Sequence, residues 1–217
     1  MRTITRWGLG IALLVAVVLG WRLGSARASA GAPIRAEMVA YEADADQVQM
    51  VRWAANRFEF GGLPVPEVEI HFHGDLLDCR GYLGYALDGR VDLCTDLVDT
   101  PARRALLHEM GHIWLDQNLS DPERERFLEM RGLHAWNDSS DTWALRGYEQ
   151  GAEIMAWALG ERILTPRIPD NEPIELARGF ELLTGSAPPA YTDASNEQAP
   201  STHKGVVREG RTAPGSE

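Results

Sequence analysis

Five residues, His108-Glu109-Met110-Gly111-His112, sit inside a helix that other residues predict independently. Asp99 or Thr100 followed by Pro101 is a helix start, with the capping residue first and proline where its missing N–H costs nothing, and the helix should run to about Asn118. In that helix a spacing of four puts both imidazoles on one face, about one turn apart, where they can grip one Zn²⁺ at ~2.0–2.1 Å. Glu109 stands beside that face, placed to take a proton from a metal-activated water. Catalytic zinc needs three protein ligands and an open fourth position, so the fold must bring a third ligand to this helix from another element.

That ligand does not come from the same helix. A metzincin would extend the pattern with a glycine and a third histidine, and Leu115 and Asn118 occupy those positions. The candidate stretch is Tyr148-Glu149-Gln150-Gly151-Ala152-Glu153-Ile154-Met155-Ala156, on a helix expected from about Thr142 or Trp143 to Leu159. Glu149 and Glu153 share one face at a spacing of four, so either is placed to complete the site. Gly151, Ala152 and Ala156 are small enough to let two helices approach closely.

Taken together, the two motifs resemble the gluzincins, in which H-E-x-x-H is completed by a glutamate on a following helix. The run E-x-x-A-E at 149–153 is similar to the third-ligand helix of thermolysin-like and lethal-factor-like enzymes. The resemblance covers 101–118 and 146–159. It implies that Glu149 is the third zinc ligand and that Glu153 accepts the distal N–H of His108. The wider string of Trp143, Arg146-Gly147, Glu149-Gln150, Ala152-Glu153 and Trp157 also resembles a family of uncharacterised exported bacterial proteins with this zinc motif. The distance between the two motifs is longer than in thermolysin, with an extra helix expected between them.

The implied activity is peptide-bond hydrolysis on a peptide or protein substrate, with Glu109 as general base. Two alternatives stand beside it: a zinc hydrolase of a non-peptide amide, and a zinc-bearing exported binding or scaffold protein without catalysis. Tyr148 and His134 are candidate oxyanion donors, each of which also reads as a packing or surface residue. His71 and His73 point to one face of a strand, where a partly exposed strand face explains them better than a metal. The tryptophans at 114, 136, 143 and 157 read as core anchors.

The rest of the chain sets compartment and fold class. Arg2 and Arg6 precede an uncharged run from Trp7 to Trp21, and Ala28-Ser29-Ala30 fits a signal-peptidase site, so residues 1–30 read as a signal peptide or an uncleaved membrane anchor. The body would then lie outside the cytoplasm, where Cys79 and Cys94 would form a disulfide. Past residue 30 there are 17 basic and 32 acidic residues, and the only lysine is Lys204, which argues against nucleic acid as a partner.

Asp44 should cap a helix to about Phe60, Ser120 another to about Gly132, and Pro173 opens a last one to about Leu183. Val68, Ile70 and Phe72 alternate with polar residues as in a half-buried strand, and Tyr82–Leu87 and Val91–Cys94 flank Asp88-Gly89 as a hairpin. The expected fold is α+β over residues 31–185, a small sheet of about three strands on a helical zincin-like body, followed by a disordered tail at 186–217. By analogy with zincins, the Val91–Cys94 strand would border the cleft.

Overall fold

Five strands form one mixed sheet: β1 (Ala32–Arg35), β2 (Met38–Tyr41), β3 (Val68–His73), β4 (Gly84–Leu87) and β5 (Arg90–Cys94). The computed structural model describes residues 31–35, 37–162 and 164–189. The segment read as a signal peptide or anchor, and 190–217 of the stretch read as a tail, lie outside the described residues. Among those described, no helix is long and apolar enough to cross a membrane.

The strand order is β1-β2-β3-β5-β4, with β2, β3 and β5 parallel and β1 and β4 antiparallel at the two edges. The architecture is α+β, with five strands where about three were expected. The two additional strands, β1 and β2, are four residues each, too short to carry a readable period. Their place comes from tertiary pairing. Met38 and Ala40 stand opposite Val68 and Ile70, and all four are buried on the face that also holds Phe72, Val91 and Leu93.

The hairpin forms as expected around Asp88 and Gly89, whose φ values of 51° and 78° are both left-handed, as a two-residue primed turn requires. Leu87 pairs with Arg90, and the Leu83 carbonyl accepts the Cys94 N–H at 2.9 Å. Cys79 reaches Cys94 because a 3₁₀ turn, Leu76–Cys79, bends the chain back; the two are disulfide-bonded with Cα atoms 5.9 Å apart. One expectation is corrected here. β5 is paired on both sides, and β4 is the edge strand whose outer side is unpaired among the described residues. The free backbone beside the candidate site therefore belongs to Gly84–Leu87, not to Val91–Cys94.

Helices α1 (Ala45–Phe60), α2 (Thr100–Asn118), α3 (Asp121–Arg131), α4 (Gly147–Leu159) and α5 (Pro173–Thr184) make the other layer. Their starts follow the capping chemistry. Asp44 and Gln47 form a reciprocal capping box at α1, Asp99 Oδ1 accepts the Ala102 N–H at 3.0 Å at α2, and Glu123 accepts the Ser120 N–H at 2.7 Å at α3.

The exception is α4, which starts later than the sequence suggests. Trp143–Leu145 is a separate 3₁₀ turn and Arg146 is extended. The break has a tertiary cause: the N–H groups of Gly147 and Tyr148 donate to the carbonyls of Ala135 and Trp136 at 3.1 and 2.7 Å. A Cβ at 147 would lie 2.6 Å from Leu128 Cδ2 and 2.9 Å from Trp136 Cε3, so only glycine admits that approach.

α2 packs under β4 and β5 and against α4. Gly111 is the close point of the helix pair, where a Cβ would sit 3.2 Å from Met155 Cβ and 3.4 Å from Ala152 Cα. Gly151 meets Leu115 in the same seam. Around it Leu106, Leu107, Met110, Ile154, Met155 and Phe180 are buried to 0 % exposure, which makes this the centre of the core. Gly111→Val should therefore lose about 2–3 kcal/mol through overpacking despite the better helix propensity of valine. Urea unfolding checks this, and an unchanged midpoint would show that the two helices do not abut at this residue.

Candidate metal centre

Two turns of α2 and the first turn of α4 bring three ligand atoms together. His112 Nε2 lies 3.1 Å from His108 Nε2, and Glu149 Oε2 lies 3.3 Å from the first histidine and 3.2 Å from the second. His108, His112 and Glu149 are the residues grouped closely enough to hold a metal ion among those described. In a tetrahedral zinc site with bonds of about 2.0–2.1 Å, ligand atoms stand about 3.3–3.4 Å from one another, so the triangle fits such an ion.

The electrostatics of the cluster tie its members to one another. Burial alone would lower the His108 imidazole, yet the carboxylates of Glu149 and Glu153 raise it to about 10. Burial would raise Glu149, and its contacts with both imidazoles bring it down to about 2. His112 goes down through burial, with the neighbouring His108 charge adding to the effect. The carboxylates of Glu149 and Glu153 are balanced by the Arg104 guanidinium and by a proton on His108, a proton that a cation held by the three ligand atoms would replace.

The two glutamates divide the sides of His108 between them. Glu149 faces Nε2, whereas Glu153 Oε1 faces Nδ1 at 3.4 Å, an ion-pair distance without aligned hydrogen-bond geometry. Glu149 is thus the carboxylate grouped with the two Nε2 atoms, and Glu153 lies on the other side of the His108 ring. Glu153 is itself held by Arg104 and by the Arg167 N–H at 3.3 Å.

Glu109 is buried at 8 % exposure and packs against the edge strand. Gly84 pairs with Leu93 and so faces the core side of the sheet, where an added Cβ would lie 2.7 Å from Glu109 Cγ and 2.9 Å from its Oε1. Burial pushes the Glu109 carboxyl up to about 7, with His108 opposing and Glu149 and Glu153 reinforcing the shift.

Other candidates are placed differently. Tyr148 stacks its ring on His112 at 4.0 Å, but its hydroxyl donates to Asp116 Oδ2 at 2.9 Å and is therefore engaged. His134 stands apart from the cluster, its side chain 85 % exposed with Asp141 at 4.0 Å. His71 stacks on Tyr41, and His73 Nε2 meets Asp92 Oδ1 at 2.6 Å, so this pair belongs to the outer face of the sheet. Trp143, expected in the core, is 38 % exposed with its ring 5.9 Å from that of His108.

Gly84 and Arg104 were not singled out from the sequence. Arg104 carried a signal, since it precedes His108 by one helical step of four; Gly84 carried none, because its neighbour Glu109 is brought to it by the sheet.

No known protein family, characterised protein or solved structure matches this chain.

The contact of Gly84 with Glu109 can be tested through stability alone. Gly84→Ala should cost about 1–3 kcal/mol by overpacking, and most of that loss should vanish in a Glu109→Ala background, where the obstructing atoms are gone. Equal losses in the two backgrounds, measured by chemical denaturation, would show that the two residues do not touch.

Proposed function

We propose that the protein is an exported zinc-dependent hydrolase, a metallopeptidase of gluzincin type acting on peptide or protein substrates. The observation that carries the reading is the convergence of His108 Nε2, His112 Nε2 and Glu149 Oε2 within 3.1–3.3 Å of one another on two closely packed helices. Export is supported by the basic and apolar pattern of residues 1–30 and by the Cys79–Cys94 bridge.

His108, His112 and Glu149 would hold the zinc. Bound there, zinc would polarise a scissile carbonyl and lower the pKa of a water towards ~7. Glu109, next in sequence to His108 and against the edge strand, takes the proton of the attacking water and returns it to the leaving amine. β4 supports an extended peptide as the substrate, because its outer edge is unpaired among the described residues, Glu109 lies against it at Gly84, and that glycine has no side chain to crowd the carboxylate. Glu153 orients His108 from the opposite ring nitrogen.

One observation favours the alternative of a zinc-bearing binding protein: the Tyr148 hydroxyl is turned to Asp116. Two variants separate the readings. Wild-type protein should retain one zinc per chain after dialysis and Glu149→Ala should lose most of it, read by elemental analysis. Glu109→Gln should keep its zinc while peptide hydrolysis falls by about 100-fold or more. Zinc-free wild type overturns the proposal. A fully active Glu109→Gln removes Glu109 from the mechanism, and zinc-loaded wild type with no activity on a peptide library overturns the peptidase reading in favour of the binding protein or the hydrolase of a non-peptide amide.

A further inference from the structure

We infer that Arg104 is a positioning residue of the metal centre, acting on His108 through Glu153. The inference rests on the metal-binding reading above, and it concerns a residue outside both sequence motifs. Arg104 lies four residues before His108 on α2, so the two side chains leave the same helical face one turn apart. Its Nη2 pairs with Glu153 Oε2, and its Nη1 donates to the Leu164 carbonyl at 2.9 Å. The Arg167 N–H donates to the same Glu153 Oε2 at 3.3 Å. One oxygen of Glu153 is thus fixed by two donors, which leaves the other, Oε1, directed at His108 Nδ1.

The position of this pair sets its weight. The side chains of Arg104 and Glu153 are 18 % and 7 % exposed, so water competes little for either. Without the guanidinium, Glu153 would be a buried carboxylate held at Oε2 by the Arg167 N–H alone, its charge balanced by His108 only when that ring is protonated. With it, Glu153 keeps the Nδ1 side of His108 occupied and the Nε2 lone pair directed to the ligand triangle. The fork of an arginine suits this position because it engages a carboxylate on α4 and a carbonyl in the 161–172 connection at once, which a lysine ammonium on a flexible stem does not reproduce. Neither Nδ1 has an aligned hydrogen bond, but that of His108 has a carboxylate at ion-pair distance, 3.4 Å, so what orients His108 from this side is the Arg104–Glu153 couple.

The test is a double-variant cycle on zinc affinity, measured by chelator competition with the purified full chain. Arg104→Gln and Glu153→Gln should each weaken zinc about 10–100-fold. The double variant should be no weaker than Glu153→Gln alone, within about a factor of three, because the arginine has nothing to act through once the carboxylate is gone. Arg104→Lys should fall between wild type and Arg104→Gln.

Thermal unfolding of the metal-free proteins runs alongside; if Arg104→Gln does not fold, the same cycle is run with Arg104→Lys. An arginine that merely braces the 161–172 connection would give losses that multiply in the double variant. That result overturns the inference, as does unchanged affinity in Arg104→Gln. Both leave the zinc assignment intact, whereas wild type that binds no zinc brings down the assignment and the inference together.

Discussion

The contact of α2 with α4 at Gly111 and Ala152 is the constraint on which the candidate site depends. His108 and His112 flank Gly111 along one helix, and Glu149 and Glu153 flank Ala152 along the other, so the point of closest approach lies between the two pairs of functional side chains. Metal ligation tolerates errors of a few tenths of an ångström, and a methyl group inserted between helices displaces them by more than that. Small residues in this seam are thus a condition of the cluster's geometry as well as of the packing. The same seam forms the centre of the hydrophobic core, which ties the precision of the cluster to the stability of the whole molecule.

A second constraint is charge. The cluster gathers three carboxyl groups in a chain that is already acidic, and burial raises the cost of each. The arrangement distributes that cost among distinct partners. Glu149 is set against the two imidazoles, Glu153 against Arg104 and His108, and Glu109 is brought toward neutrality by burial and by the neighbouring carboxylates. Glu149 and Glu153 are thereby held toward the ionised form and Glu109 toward the neutral one within one small volume.

The parts of this structure that were legible in the sequence are those written in local chemistry. Asp44, Asp99 and Ser120 mark helix starts because a capping side chain acts on the backbone two or three residues away, and Asp88-Gly89 marks a turn because of its own backbone preference. The histidine pair was legible for the same reason, a spacing of four on one helix. What escaped depends on distant partners. β1 and β2 exist through pairing with β3, and α4 begins at Gly147 because residues 135 and 136 accept its first N–H groups. The identity of the edge strand follows from a crossover that places β5 between β3 and β4. Gly84 faces Glu109 only because that crossover occurred. At a spacing of four Glu149 and Glu153 read alike in the sequence; what separates them is which ring nitrogen of His108 each one faces.

The attachment of β4 has a mechanical consequence. Its far end is joined to β5 by the tight turn at Asp88-Gly89, and the chain entering its near end is bolted to β5 through Cys79 and Cys94. Fraying, the usual failure of an outer strand, must therefore open a turn at one end or work against a covalent bond at the other. Between these two supports Gly84–Leu87 is paired with β5 along its length, so an extended chain laid along that edge would meet a rail held at both ends, with Glu109 behind it at Gly84.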